Sequence, residues 1–352
     1  MSANNEIITV TALAMKDCFT EILLKEGFEK DNASVCADIF TANSIDGIYS
    51  HGVNRFARFI KYVRDGFVNP AAVPTLQHAF AGIEQWNGNL GPGTLNALHA
   101  TKRVMQLAMK HAIGCVALSN TNHWMRAGNY GWHAAKAGYV FIGWTNTTAN
   151  MPAWGAIDIK LGNNPLVMAL PYKDEAIVLD MAMSQFSVGQ MEMTAMKNEK
   201  LSVNGGFDKN GNLTNDPSDI LATRRLLPIG YWKGSGLALL LDLLATILSG
   251  GLSTSEISKE NAERGLSQVF IAIDISKLSN QSSIKQVVEN IITDYHGSIP
   301  ADESQKITYP GERVLQTKQK NIIDGIPVLK KVWDTVLELQ NGTADLTGIR
   351  YT

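Results

Sequence analysis

Apolar positions in the first third of the chain recur at three- and four-residue spacing, a pattern that predicts helices rather than strands. Residues 12–28, "ALAMKDCFTEILLKEGF", form the first, with Thr9 or Thr11 as its cap. Residues 32–47 form the second, with Asp31 as its cap. The third, "GVNRFARFIKYVRDG" at 52–66, sets Val53, Phe56, Phe59, Ile60 and Val63 on a buried side. "VNPAAVP" at 68–74 breaks the pattern and sets a domain boundary near residue 75.

Beyond that boundary the period switches back and forth. Strands are predicted at 81–86, 114–120 and 139–147, with helices at 93–112 and 127–138 between them. "PLVMALPY" and "AIVLDMAM", joined by the polar turn "KDE", read as a hairpin over 165–183. Residues 205–219 read as a long polar loop, 234–251 as a buried helix and 268–275 as a strand. The stretch from 282 to 342 is predicted helical. The fold class is therefore mixed α/β. Residues 1–75 and 281–352 supply helices from both chain ends that pack together, and residues 76–280 form the α/β domain.

Composition narrows the function. The chain has 352 residues, 45% of them apolar and 18% charged, enough to bury a substantial core. The formal net charge is −2 and no basic stripe alternates with aromatics, so nucleic acid is not an expected partner. Cys18, Cys36 and Cys115 are scattered and odd in number, the usage of a reducing cytoplasm. The start, "MSANNEIITV", lacks the basic and apolar segments of a signal peptide. The most apolar run, "GLALLLDLLATILSGG", is short for a bilayer span and carries Asp242, so no membrane association is expected.

The seven histidines include no HExxH and no cysteine cluster, so no metal site is predicted. "DKNGN" at 208–212 has its glycine too early for a calcium loop and reads as a polar turn. The dinucleotide fingerprint GxGxxG is absent, and "GNLGPG" at 88–93 has a proline where an amide is needed. Motifs alone give no support for a dinucleotide.

Polar candidates remain. Arg55 follows His51 by four residues and shares its side of a helix. A guanidinium fork matches a carboxylate, and an imidazole beside it can pass a proton. The plainer alternative is a capping or core histidine. "SNTNHWMRAGNYG" gathers Asn120, Asn122, His123, Arg126 and Asn129 in one strand-to-helix turn, either a site or a cap. Thr145, Asn146, Asn163 and Asn164 stand at strand ends. Lys233 precedes a helix start that can hold phosphate, or is simply solvated. Asp180 ends an apolar strand and needs a partner, for which a histidine is a candidate.

"YSHGVNRFARFI", "NHWMRAGNYGWHAA", "GWTNTTANMPAWG", "GNNPLVMALP", "LDMAMSQFSVG", "GYWKGSG" and "YPGER" occur in an order that resembles the type-2 malate/L-lactate dehydrogenase family, over roughly residues 8–340. The likeness is nearest to the branch that reduces 2,3-diketo-L-gulonate to 3-keto-L-gulonate. It implies a non-Rossmann NAD(P)-binding fold with a largely antiparallel mixed sheet, and a homodimer with the cofactor near its interface. His51 matches the family's proton donor, with Ser50 beside it, and Arg55 the anchor of the substrate carboxylate. Thr145 belongs to the same substrate region. Asp180 resembles the carboxylate that supports the histidine and raises its pKa. His123 matches a histidine used as acid/base in some relatives, so two donors stay open. The cofactor segments implied are Ala176, Ile177, Val178, Leu179, Asp180, Met181 and Ala182, then Trp232 with Lys233, and Gly311, Glu312 and Arg313. NADH is the implied reductant, with NADPH left open by Asn163 and Arg313, where the motifs depart from the family pattern. The implied activity is reduction of a small 2-oxo acid. A malate- or lactate-type 2-hydroxy-acid dehydrogenase is one alternative, and a catalytically silent scaffold on the same fold is another.

Overall fold

Thr11 caps the first helix: its hydroxyl accepts the Ala14 N–H at 3.2 Å, satisfying an amide that the helix start leaves free. In this computed structural model, which describes residues 6–351, β1 (Ile7–Val10) leads into α1 (Ala12–Lys25), α2 (Lys30–Ile45) and α3 (Val53–Arg64). The expectation about a leader segment rests in part on residues 1–5, which lie outside the described residues. Asp31 does not cap α2. The cap is Glu29, without a side-chain bond, and Asp31 sits in the first turn, where its charge suits the positive helix end. Val53, Phe56, Phe59, Ile60 and Val63 are all buried. Phe56 stacks on Phe19 at 3.9 Å between ring centroids, and Phe40 meets both edge-on. Each buried ring contributes roughly 1.5–3 kcal/mol, so this cluster sets how α3 departs from α2.

The sheet begins at β2 (Thr75–Phe80), an exposed edge strand that the sequence pattern missed, and β3 (Ile83–Asn87). Then come α4 (Gly93–His111), β4 (Ile113–Thr121), α5 (Gly128–Lys136) and β5 (Tyr139–Thr145). A small ribbon of β6 (Ala149–Pro152) and β7 (Ile159–Gly162) precedes the predicted hairpin, β8 (Leu166–Tyr172) and β9 (Glu175–Met181). After α6 (Val188–Met196), the expected polar loop holds a minimal hairpin, β10 (Gly206–Phe207) and β11 (Leu213–Thr214), and the start of α7 (Pro217–Thr223). Asp208 Oδ1 accepts the amides of Asn210 and Asn212, which makes "DKNGN" a polar turn. The chain continues through α8 (Trp232–Ser249), α9 (Thr254–Ile257) and β12 (Leu266–Asp274). Strand order is β2-β3-β4-β12-β5-β8-β9, and only β3–β4 is parallel. The sheet is largely antiparallel, as expected. Two-sided burial explains the continuous apolar stretch 269–273 within β12: α4 and α5 cover one face, and α8 lies on the other.

Helix α8 departs from expectation. It is not a buried helix: Leu239, Leu240, Leu243, Leu244 and Ile247 are exposed, while Ala238, Leu241 and Ala245 pack on the sheet. By length and composition alone it is also long and apolar enough to cross a membrane, contrary to the reading of the run as short. Asp242, in its middle, accepts hydrogen bonds from Asn146 Nδ2 (2.9 Å) and the Thr254 amide (2.8 Å).

The C-terminal stretch is not continuously helical either. It holds α10 (Gln281–His296), α11 (Glu312–Asp324), β13 (Ile326–Leu329) and α12 (Lys330–Asn341), with no helix over 297–311. β13 pairs antiparallel with β1, and Val328, Val336, Leu339 and Leu346 join the core of α1–α3. α10 lies instead against β8.

Candidate active site

His51 ends a 3₁₀ turn, Tyr49–His51, that bridges α2 and α3. The glycine after it is required by a close approach, since a Cβ at Gly52 would stand 2.3 Å from Ser44 Oγ and 2.9 Å from the Ser44 amide nitrogen. That contact lets Ser44 Oγ accept the Val53 N–H at 2.9 Å and start α3. Asn43 Nδ2 donates to the His51 carbonyl at 2.7 Å, and Asn129 of α5 holds the Asn43 side chain in turn. Ser50 Oγ lies 3.2 Å from His51 Nδ1, which leaves Nε2 as the imidazole atom turned to other business.

His123 reaches the same place from the loop between β4 and α5. A Cβ at Gly93 would fall 2.3 Å from the His123 carbonyl oxygen, so only glycine lets the start of α4 press against this loop. The Met125 amide donates to His123 Nδ1 at 3.0 Å, which assigns the proton of the neutral ring to Nε2. The two imidazoles stack at 5.6 Å between centroids with planes 16° apart. The sequence offered two donors; the fold sets them side by side.

Arg55, Arg58, Phe59, Tyr62, Asn122, His123 and Glu263 line the adjoining cleft. Arg55 and Arg58 have no carboxylate within 4.0 Å among the described residues. Burial, then Arg55 and Arg126, push the His51 pKa down to about 3. Burial, then Arg55, His51 and Arg58, hold His123 well below its ordinary value. This cleft has a deficit of negative charge.

The expected partnership of Asp180 with His51 is not what the fold builds. Asp180 Oδ2 accepts the Gly128 amide at 2.7 Å and lies 3.9 Å from Arg126 Nε, whose Nη1 binds Asp46. Burial raises the Asp180 pKa, opposed by Arg126 and then the Gly128 bond, although 24% of the side chain stays accessible. Burial and then the cationic charges of Arg55 and Arg126 act on His51, so its pKa moves opposite to the expectation. Thr145 is also displaced from its expected role. It is 1% exposed, and its hydroxyl lies within bonding distance of the Asn146 and Ser267 carbonyls, which makes it a strand-end lock. Asn146 and Asn164 likewise bond inside the fold.

Of the implied cofactor segments, two meet. β9, which holds Ala176 to Met181 just before Ala182, is an edge strand, and the Val178 amide donates to the Pro310 carbonyl at 3.0 Å, seating the turn before Gly311, Glu312 and Arg313 on it. The third is tied to the continuation of β9: Gln185 and Ile229 exchange backbone bonds with Leu227 and Met183, three to five residues ahead of Trp232. Trp232 and Lys233 are exposed at the start of α8, whose N-terminal cap has no side-chain bond. A helix N-terminus without a side-chain cap, beside a lysine, suits a phosphate, so these residues fit a dinucleotide. Glu312 is engaged by His296, Lys306 and the Tyr309 amide, and Arg313 is exposed.

Sequence reading missed Arg58, Tyr62 and Glu263. The signal for the first two was present: Arg55, Arg58 and Tyr62 continue the His51 stripe at helical spacing. Glu263 lies in a polar loop with no periodicity to mark it.

Known proteins match this arrangement along nearly the whole chain. A 2,3-diketo-L-gulonate reductase from Klebsiella pneumoniae (strain 342) is 44% identical over 331 residues, 94% of this chain and 99% of that protein. A malate dehydrogenase from Entamoeba histolytica superposes with a TM-score of 0.90 at 24% identity, covering 96% of this chain and 98% of that one, a likeness of fold. A sulfolactate dehydrogenase from Methanocaldococcus jannaschii gives 0.87 at 27% identity, covering 96% and 97%. The malate/L-lactate dehydrogenase family model matches residues 10–337, and the chain belongs to that family of oxidoreductases.

Proposed function

We propose that the protein reduces a 2-oxo acid with NADH, and that its substrate is 2,3-diketo-L-gulonate, yielding 3-keto-L-gulonate. The observation that carries the reading is the pair of imidazoles beside two guanidiniums that have no carboxylate within 4.0 Å among the described residues. The substrate choice is supported by the name of the 44% identical relative. A second reading, a malate-type activity on a dicarboxylate, is favoured by Arg58, a second cation in the same cleft.

The substrate carboxylate binds Arg55 through a two-pronged, charged contact worth roughly 1.5–3 kcal/mol per hydrogen bond. Its negative charge offsets the field that depresses His51, so the imidazole takes up a proton as the acid binds. A nicotinamide held by the residues named below would supply the hydride that C2 receives. His51 Nε2 delivers the proton to the carbonyl oxygen, completing the hydroxyl, while Ser50 Oγ orients the ring from Nδ1. His123 Nε2–H donates a hydrogen bond to the same oxygen as charge develops.

The cofactor would lie along Ala176 to Ala182, with its phosphates at Lys233 and its far side against Gly311 to Arg313. A homodimer is supported by the apolar outer face of α8, which starts at the cofactor residues Trp232 and Lys233. A cytoplasmic location is supported by three free thiols. The two-part division, with residues 1–75 joined by the C-terminal part and 76–280 as the sheet domain, is supported by the shared core of α1–α3, β13 and α12.

NADH absorbance followed against 2,3-diketo-L-gulonate, oxaloacetate and pyruvate tests the reading. A preference for oxaloacetate or pyruvate would replace the substrate, and no oxidation with any acid would leave a silent scaffold.

A further inference from the structure

Arg55, Arg58 and Tyr62 carry the cleft away from the two histidines along one side of α3, a rise of about 10 Å at helical pitch. No reacting group stands at the far end. What stands there is a mixed set of donors and acceptors. Glu263 is fixed in place: its Oε2 accepts the Thr148 amide at 3.1 Å, and its own amide donates to the Tyr62 hydroxyl at 3.2 Å. Asn122 is 2% exposed, and its Nδ2 is committed to the carbonyls of Phe67, Leu90 and Gly91. Its Oδ1 is buried with no hydrogen-bond partner among the described residues.

We infer that Arg58, Glu263 and Asn122 form a second subsite that reads the hydroxylated tail of the substrate and selects a polyhydroxy 2-oxo acid over short or dicarboxylic ones. A hydroxyl both accepts and donates, so a row of them can accept from Arg58 and donate to the Glu263 carboxylate and to Asn122 Oδ1. A second carboxylate is acceptor-only. It would satisfy Arg58 but face two acceptors, one of them charged. A methyl tail would leave all three groups unpaired in a desolvated cleft, the situation in which a polar site rejects an analogue most strongly. The inference rests on the reductase reading above and argues against the dicarboxylate alternative.

The test compares kcat/KM for 2,3-diketo-L-gulonate, pyruvate and oxaloacetate in the wild type, Arg58→Met, Arg58→Lys and Glu263→Gln, with thermal melts to establish folding. Arg58→Met is expected to lower the diketogulonate-to-pyruvate ratio at least about tenfold through KM, as the loss of one charged hydrogen bond requires. Arg58→Lys restores part of the ratio, and Glu263→Gln lowers it while improving oxaloacetate. Unchanged ratios in both neutral variants overturn the subsite. Titration of L-gulonate and L-lactate into the protein with NAD⁺ separates this from the reductase reading. If the wild type oxidises no NADH with any acid, the reductase reading falls. In that case the subsite is judged by binding, and it falls if L-gulonate binds no tighter than L-lactate or keeps its advantage in Arg58→Met.

Discussion

His51 and His123, 72 residues apart in the chain, stack with ring centroids 5.6 Å apart and planes 16° from parallel. One is held by the turn between α2 and α3 and the other by the loop between β4 and α5. The pair therefore exists only when those two parts are docked.

Roles within the pair are separable by mutation. His51→Ala is expected to lower kcat by about 10²–10⁴-fold, with the KM for NADH little changed. His123→Asn removes a stabilising bond to the oxygen and costs about 10²-fold, the lower end of what one such donor contributes. A larger loss in His123→Asn would exchange the two assignments.

The depressed histidines make the fold acid-sensitive. In the folded protein the His51 pKa lies near 3, below its ordinary 6.5, and that of His123 is also lowered. The unfolded chain therefore binds more protons below pH 6.5, and stability present above that value is lost as pH falls toward 3. Asp180, raised by burial, acts in the opposite sense over the acid range. Urea midpoints measured from pH 7 to 4 should fall more steeply for the wild type than for a His51→Gln, His123→Gln double variant.

Asp180→Asn tests the carboxylate's place. Its bonds run to Gly128 and Arg126, so the variant is expected to lose about 1–3 kcal/mol of stability and to raise the KM for NADH. The acid limb of the kcat profile should stay where it is. Its displacement would restore direct coupling between Asp180 and His51.

Gly93→Ala places a methyl 2.2 Å from the Asn122 carbonyl oxygen and 2.3 Å from that of His123. Both neighbours are backbone, so the loop must move. Destabilisation of about 1–3 kcal/mol is expected, with a loss of kcat in the protein that remains folded. An Ala variant with wild-type turnover would free His123 from this packing.

The outer face of α8 is expected to be covered by a second copy of the chain. Leu240→Glu with Ile247→Glu puts charge on two exposed apolar positions. Sedimentation should show the wild type as a dimer and the double variant as a monomer with raised KM for NADH. A wild type that sediments as a monomer removes the dimer.

Local pattern was enough for much of this protein. His51, read as sharing a helix with Arg55, lies instead in the 3₁₀ turn before Gly52, but the amphipathic period of α3 placed its buried residues and the "KDE" turn placed the β8–β9 hairpin. Those properties depend on neighbours within a turn or two, where sequence spacing dictates geometry. Short edge elements such as β1, β2 and β13 escaped because their pairing is decided by distant partners, and α8 read as buried because apolar content does not say which surface covers it.

The charge environment belonged to the tertiary structure alone. Asp180 met Arg126 and Gly128 instead of His51, Thr145 turned its hydroxyl onto backbone carbonyls, and Glu263 came to stand beside Arg58 across more than 200 intervening residues. Coulomb interactions and desolvation act through space over a few ångströms, so the sign of a histidine's pKa shift is set by which groups folding brings near. The sequence supplied the reactive groups; packing chose their partners.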